Sequence, residues 1–183
     1  MLIEDRHHLC GTTEAKAVAS QQKLLQNSRQ RNWAVVVVTI QYGIARGYFS
    51  WSDYECATDR LLTLLGASDP VSGIDANGHG PNATAGSWRK PSPAMLLEAS
   101  RELNFGLKKS ILGGGRLSDQ EAGTQAGVQT VIHVWTGLGY RGGDEVMAWG
   151  LHKQQACSQN RKHDVRFWNS VVATPLSLAT LKT

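Results

Sequence analysis

Residues 33–39 read WAVVVVT. An unbroken β-branched run of this length suits a strand packed on both faces, as in a parallel sheet. On its N-terminal side, residues 13–31 read as a helix, with Ala17, Leu24 and Leu25 on the apolar side and Thr12 or Thr13 as cap. On its C-terminal side, the loop IQYGIARGYF (residues 40–49) leads to a second helix. There Ser52-x-x-Glu55 has the form of a capping box, Tyr54, Leu61, Leu62 and Leu65 supply apolar positions, and Gly66 gives a stop.

The same alternation continues along the chain. Residues 71–76 form a short strand candidate, and residues 77–91 are rich in Gly, Pro, Asn and Ser and read as a loop. Ser92 caps a third helix with Pro93 in its first position, followed by Met95, Leu96, Ala99 and Leu103 at helical spacing. Residues 110–112 are the next strand, Ser118-x-x-Glu121 has the form of a further capping box, and that helix ends near Gly127. Residues 128–134 (VQTVIHV) are the last clear strand. Strand–helix alternation predicts an α/β fold, a parallel sheet with helices on both faces. Ligands of such sheets sit beyond the C-terminal strand ends, which singles out the loops after Thr39, before Ser92, and at GGGRLSD (residues 113–119).

The 183 residues suit one main domain, taken as residues 1–150 with a C-terminal extension over 151–183. A 41% hydrophobic and 19% charged composition is that of a folded globular protein. No apolar run is long enough to span a bilayer and no secretory leader is recognisable, so a cytoplasmic protein without membrane contact is expected. The net charge of +4 favours anionic ligands, but the basic residues are scattered, which argues against nucleic acid as a partner. Cys10, Cys56 and Cys157 are odd in number and far apart and read as reduced thiols. The sequon at Asn82 reads as chance without a leader.

Three positions carry candidate chemistry. Thr39 ends its strand and offers a hydroxyl either to a phosphate oxygen or to the following turn. Arg89 and Lys90 stand before a helix start, where they either neutralise a phosphoryl group or form a solvated basic pair. Asp119 lies at a helix start and serves either the helix dipole or, with a second carboxylate, a magnesium ion. His79 is alone in its loop, and His7 and His8 beside Cys10 lack a fourth ligand, so neither reads as a metal site.

Three blocks, VVVVTIQYGIARGYFSWSDYE, WRKPSPAMLLEA and SILGGGRLSDQEAGTQAGVQTVIHV, resemble the haloacid-dehalogenase (HAD) superfamily, in the branch of histidinol-phosphate and heptose-1,7-bisphosphate phosphatases. The resemblance runs over residues 2–134. It implies a Rossmann-like HAD sheet and Mg2+-dependent hydrolysis of a small phosphorylated metabolite through an aspartyl-phosphate. It implies Thr39 and Lys90 as holders of the transferring phosphoryl group. Gln41, Arg46 and Arg89 become substrate contacts, and Asp119 a magnesium ligand.

The chain departs from that pattern at several places. Gly115 stands where the family has its other magnesium-binding aspartate. Ile40, Gln41 and Tyr42 replace the usual Asn-Gln-Ser. The zinc loop keeps only His79, with Trp88 in a cysteine position, so no zinc is expected. The nucleophile motif Asp-x-Asp is not found: MLIEDRHHLCG (residues 1–11) resembles the sequence that follows it, with Glu4 and Asp5 as poor substitutes. The first, central strand is therefore expected to be missing, as in an N-terminally shortened version of a longer product. Three readings follow: a phosphatase, a non-catalytic relative that binds a phosphorylated metabolite or a protein partner, or a gene fragment. The sequence does not speak to oligomeric state.

Overall fold

The structure, a computed structural model, describes residues 19–66, 71–80, 88–135, 144–148 and 164–168. Glu4, Asp5, His7, His8, Cys10, Asn82 and Cys157 lie outside the described residues. The element order is α1 (Ala19–Gln30), β1 (Val36–Ile40), α2 (Tyr42–Ala45), α3 (Trp51–Leu64), β2 (Gly73–Asn77), α4 (Ala94–Glu102), β3 (Ile111–Gly114), α5 (Leu117–Ala126), β4 (Thr130–Val134) and β5 (Asp164–Trp168). The strands are parallel throughout, and the fold is the α/β one expected. No helix of the described residues is long and apolar enough to cross a membrane.

The strands form two sheets, β1-β2 and β3-β4-β5. β1 and β2 run in register from Val36 opposite Gly73 to Ile40 opposite Asn77. Among the described residues no strand pairs with the remaining edge of β1 or of β3. This alters the reading of the valine run: all five residues of β1 are half-buried rather than buried on both faces, because β1 has one strand neighbour instead of two. β5 falls within residues 151–183, where the sequence carried no strand signal, and adds a parallel partner to β4.

The two sheets share one core. Leu96 of α4, Ala122 and Ala126 of α5, and Val128 and Val131 are buried together, with Val38, Leu107 and Leu112 packed against them. α4 touches β1, β2 and α5, and α5 in turn lies on β3 and β4. Gly123 permits that approach, since a Cβ there would stand 2.6 Å from Leu112 Cδ2. Gln120 is fully buried, and its Nε2 donates to the carbonyl of Gly114 at 3.0 Å, pinning α5 to the end of β3. α1 is tied to the end of α3 by Gln22 Nε2 donating to the carbonyl of Leu64 at 2.8 Å.

The helix starts differ from the expected ones in detail. α3 opens two residues earlier than expected, on a capping box of Ser50 with Asp53 rather than Ser52 with Glu55. Ser50 Oγ accepts the Asp53 N–H at 3.2 Å, and Asp53 Oδ2 accepts the Ser50 N–H at 2.8 Å. In α4 the cap position is Pro93, although Ser92 Oγ still accepts the Ala94 N–H at 3.3 Å. α5 is capped at Arg116 with Asp119 answering its backbone N–H, rather than at Ser118 with Glu121, and ends as expected on Gly127 in the left-handed region (φ 79°).

Candidate functional site

β1 delivers Thr39 to its C-terminal end, and the chain turns at once into α2. Gln41 fixes this turn in two ways. Its Nε2 donates to Thr39 Oγ1 at 3.0 Å, and its backbone N–H donates to the carbonyl of Asn77 at 2.7 Å. Asn77 is buried, and its Oδ1 accepts the His79 N–H at 2.7 Å. The ends of β1 and β2 are thus locked together, with the Thr39 hydroxyl already engaged by Gln41.

Tyr42 begins α2 and gathers two arginines. The Arg46 guanidinium, four residues on and so on the same helix face, stands 4.2 Å from the Tyr42 ring centroid. That of Arg89 lies 5.3 Å from the same ring. Arg46 also lies 5.8 Å from the Tyr48 ring centre. Hydrogen bonds to Tyr42 and then Tyr48 push its pKa above the usual arginine value. Arg89 Nη1 donates to the carbonyl of His79 at 3.3 Å, which ties the two loops together. Cation–π stacking of this kind holds a guanidinium in place and keeps its charge beside the ring. Tyr42 is therefore a site residue that sequence reasoning recorded only as a departure. Its signal was the Tyr42–Arg46 spacing, which becomes meaningful once residues 42–45 are known to be helical.

Lys90 follows Arg89 and precedes Pro91 through a cis peptide bond. Its Nζ lies 2.5 Å from Asp119 Oδ1 and 3.3 Å from the carbonyl oxygen of Val38, next to Thr39. Both side chains are largely withdrawn from water, at 13% and 11% exposure. Asp119 Oδ2 accepts the Arg116 N–H at 2.9 Å. Gly114 makes room for this carboxylate, since a Cβ there would come within 2.3 Å of Asp119 Cβ.

The structure therefore groups the expected residues into three sets: Thr39 with Gln41, Arg46 with Arg89 through Tyr42, and Lys90 with Asp119. Lys90 links the third set to β1 through Val38. The set suits an anion far better than a metal. Magnesium keeps a shell of oxygen ligands around a high charge. Among the described residues no group of three His, Cys, Asp or Glu side chains could hold a metal ion, and Asp119 already spends both oxygens on Lys90 and Arg116. Gly115 offers no side chain beside it. The described residues do not fit Mg2+.

Comparison with known proteins adds an independent line. No family model matches the chain. Over 101 residues it is 43% identical to the D-glycero-beta-D-manno-heptose-1,7-bisphosphate 7-phosphatase of Mesorhizobium japonicum, a match covering 51% of this chain and 46% of that protein. The chain thus spans about half the length of that curated relative. A solved structure from Mesorhizobium loti, described as a HAD-like phosphatase, is 32% identical with a TM-score of 0.66, over 73% of this chain and 68% of that one. The D,D-heptose 1,7-bisphosphate phosphatase of B. bronchiseptica, complexed with magnesium and phosphate, superimposes with a TM-score of 0.75 over 100% of this chain and 94% of that one. At 24% identity it speaks to the fold alone.

Proposed function

We propose that this chain, a member of the HAD superfamily of phosphatases, binds a small phosphorylated sugar of the heptose-bisphosphate kind with weak or absent turnover. One observation carries the second half of this reading. The carboxylate that would serve a metal, Asp119, is closed off by the Lys90 ammonium and the Arg116 N–H, and Gly115 beside it brings no second carboxylate. Phosphoryl transfer depends on charge stabilisation and positioning, and a site short of its metal ligands loses most of both.

What remains is suited to recognition. In this reading Arg46 and Arg89, gathered on Tyr42, bring two positive charges to a phosphate. The Thr39 hydroxyl, accepting from Gln41, keeps its own proton to donate to a phosphate oxygen. Lys90 adds positive charge next to Thr39, reduced by its pairing with Asp119. The ligand class follows from the family: a sugar phosphate such as a heptose bisphosphate, whose second phosphate would suit the arginine pair.

The test is calorimetry with heptose 1,7-bisphosphate in the presence of EDTA and then of Mg2+, beside a phosphate-release assay. We expect binding without metal, and phosphate release no faster than that of the Lys90→Ala variant. Magnesium-dependent release clearly above Lys90→Ala would overturn the inactive reading. Failure to bind with or without metal would overturn the recognition reading.

A further inference from the structure

A concavity is lined by none of the residues grouped above. One face of α3, the strand β2 and Trp88 line an open cleft of about 430 Å3. Its walls are aromatic. Trp51 and Tyr54 meet edge to face, with ring centres 5.8 Å apart and planes at 83°. Trp51 is also seated against Gly78, where a Cβ would stand 2.7 Å from its Cζ2. The ring is therefore held in place by its neighbours, yet Trp51 remains 45% exposed and Trp88 39% exposed. Large rings fixed in position but left open to water mark a surface built to be covered.

The charge of the cleft has the opposite sign to that of the chain. Glu55 and Asp59, one helical turn apart on α3, and Asp75 on β2 all line it, whereas the whole chain carries +4. None of these carboxylates makes an ion pair with a described residue. Like charges at this helical spacing repel, so the arrangement is mildly unfavourable without a counter-charge. Asp75 is half-buried, whereas Glu55 and Asp59 are exposed. Burial first, then Glu102 and Glu98 on α4, push its pKa above the usual carboxylate range.

We propose that this cleft binds an organic cation, an ammonium or quaternary ammonium head that lies against Trp51 and Trp88 with Asp75 and Glu55 as counter-charges. The aromatic faces attract a cation through their quadrupole, and the alkyl groups of such a head cover exposed ring. A phosphate or a carboxylate is repelled by the three acids. A neutral sugar would gain the stacking but not the charge. Inorganic cations would meet the carboxylates but leave the indoles in water.

Choline and its neutral isostere 3,3-dimethyl-1-butanol separate these cases, because they share a shape and differ in charge. Titrated into the full chain and followed by tryptophan fluorescence, choline is expected to bind at least tenfold more tightly than the isostere. Asp75→Asn is expected to weaken choline at least fivefold with an unchanged circular dichroism spectrum. Trp51→Leu should do the same and remove much of the fluorescence response. A trimethyl-lysine peptide, compared with choline, distinguishes a side chain of a protein from a free amine as the source of the head. Equal binding of choline and the isostere overturns the proposal. So does equal binding of choline by the wild-type chain and Asp75→Asn, a variant that decides the matter even if Trp51→Leu fails to fold.

Discussion

Lys90 Nζ stands 2.5 Å from Asp119 Oδ1 while also donating to the carbonyl of Val38 at 3.3 Å. The Lys90 ammonium therefore ties α5, which lies on one sheet, to β1 of the other, and among the described residues no strand ladder joins the two.

Removing one partner of this pair leaves the other charge with little water around it. We expect Lys90→Met to destabilise the chain by about 3 kcal/mol or more, measured by urea unfolding. The double variant Lys90→Met with Asp119→Leu should recover much of that loss, because it removes both charges together. If the single and double variants unfold at the same midpoint, the pair does not hold the sheets.

Gly114→Ala tests the same contact from the backbone side. Its new Cβ would fall 2.3 Å from Asp119 Cβ, and that clash is with the rigid root of the side chain. We expect a loss of about 1–3 kcal/mol, and little further effect when Lys90→Met is added. Full additivity of the two would count against a shared mechanism.

Gly115→Asp should raise the affinity of the chain for magnesium. Gly115 is not among the glycines with positive φ, so its backbone admits aspartate without strain. A second carboxylate beside Asp119 competes with Lys90 for that side chain and supplies an oxygen that magnesium lacks. Calorimetry with MgCl2 should show a gain of at least tenfold in affinity over the wild-type chain. No gain would mean that this loop does not correspond to the family's metal loop.

Ser50→Ala removes the cap of α3 and should lower stability by about 1 kcal/mol. Asp53 has its pKa depressed by the Ser50 N–H first and the Ser50 hydroxyl second. A depressed carboxylate stabilises the fold above its unfolded pKa, and that contribution fades as pH falls through the lower folded value. Melting curves should therefore show the Ser50→Ala deficit shrinking below about pH 4.

Asp75 has the reverse sign. Its pKa is raised, so folding is favoured by its protonated form, and this contribution is lost as pH rises through the raised value. Asp75→Asn should be more stable than the wild-type chain at pH 7, with the advantage narrowing towards pH 4. A constant difference across that range would mean that burial of its charge is not what shifts it.

Much of the architecture was legible because it rests on local pattern. The valine run, the apolar spacing of α4, and the glycines that end α3 and α5 each signal an element within a few residues. What was not legible depends on partners distant in the chain. β1 carries the composition of a strand buried on both faces, and its half-buried state goes with its having β2 as its one strand neighbour among the described residues, which composition does not encode. β5 lacks a run of its own and exists as the partner of β4. At the site, Thr39, Lys90 and Asp119 stood out through the resemblance, but their mutual arrangement did not. Asp119 had two open readings, helix start and metal ligand, and its oxygens in fact divide between Arg116 and Lys90. Tyr42 gathers Arg46 and Arg89 from segments more than 40 residues apart, a convergence visible only once the chain is folded.

Among the described residues the two sheets meet through side chains and the Lys90 ammonium, and no rungs of backbone hydrogen bonds join them. Such a junction is a seam. Side-chain packing loosens more gradually than a ladder, so the halves on either side can breathe with some independence. Amide exchange would then sort by half, with β1 and β2 releasing their deuterium-protected amides at one free energy and β3 and β4 at another. The seam also explains why a short piece of backbone, from Gly114 to Asp119, bears so heavily on the whole: it is the clasp that α5 offers to the opposite side.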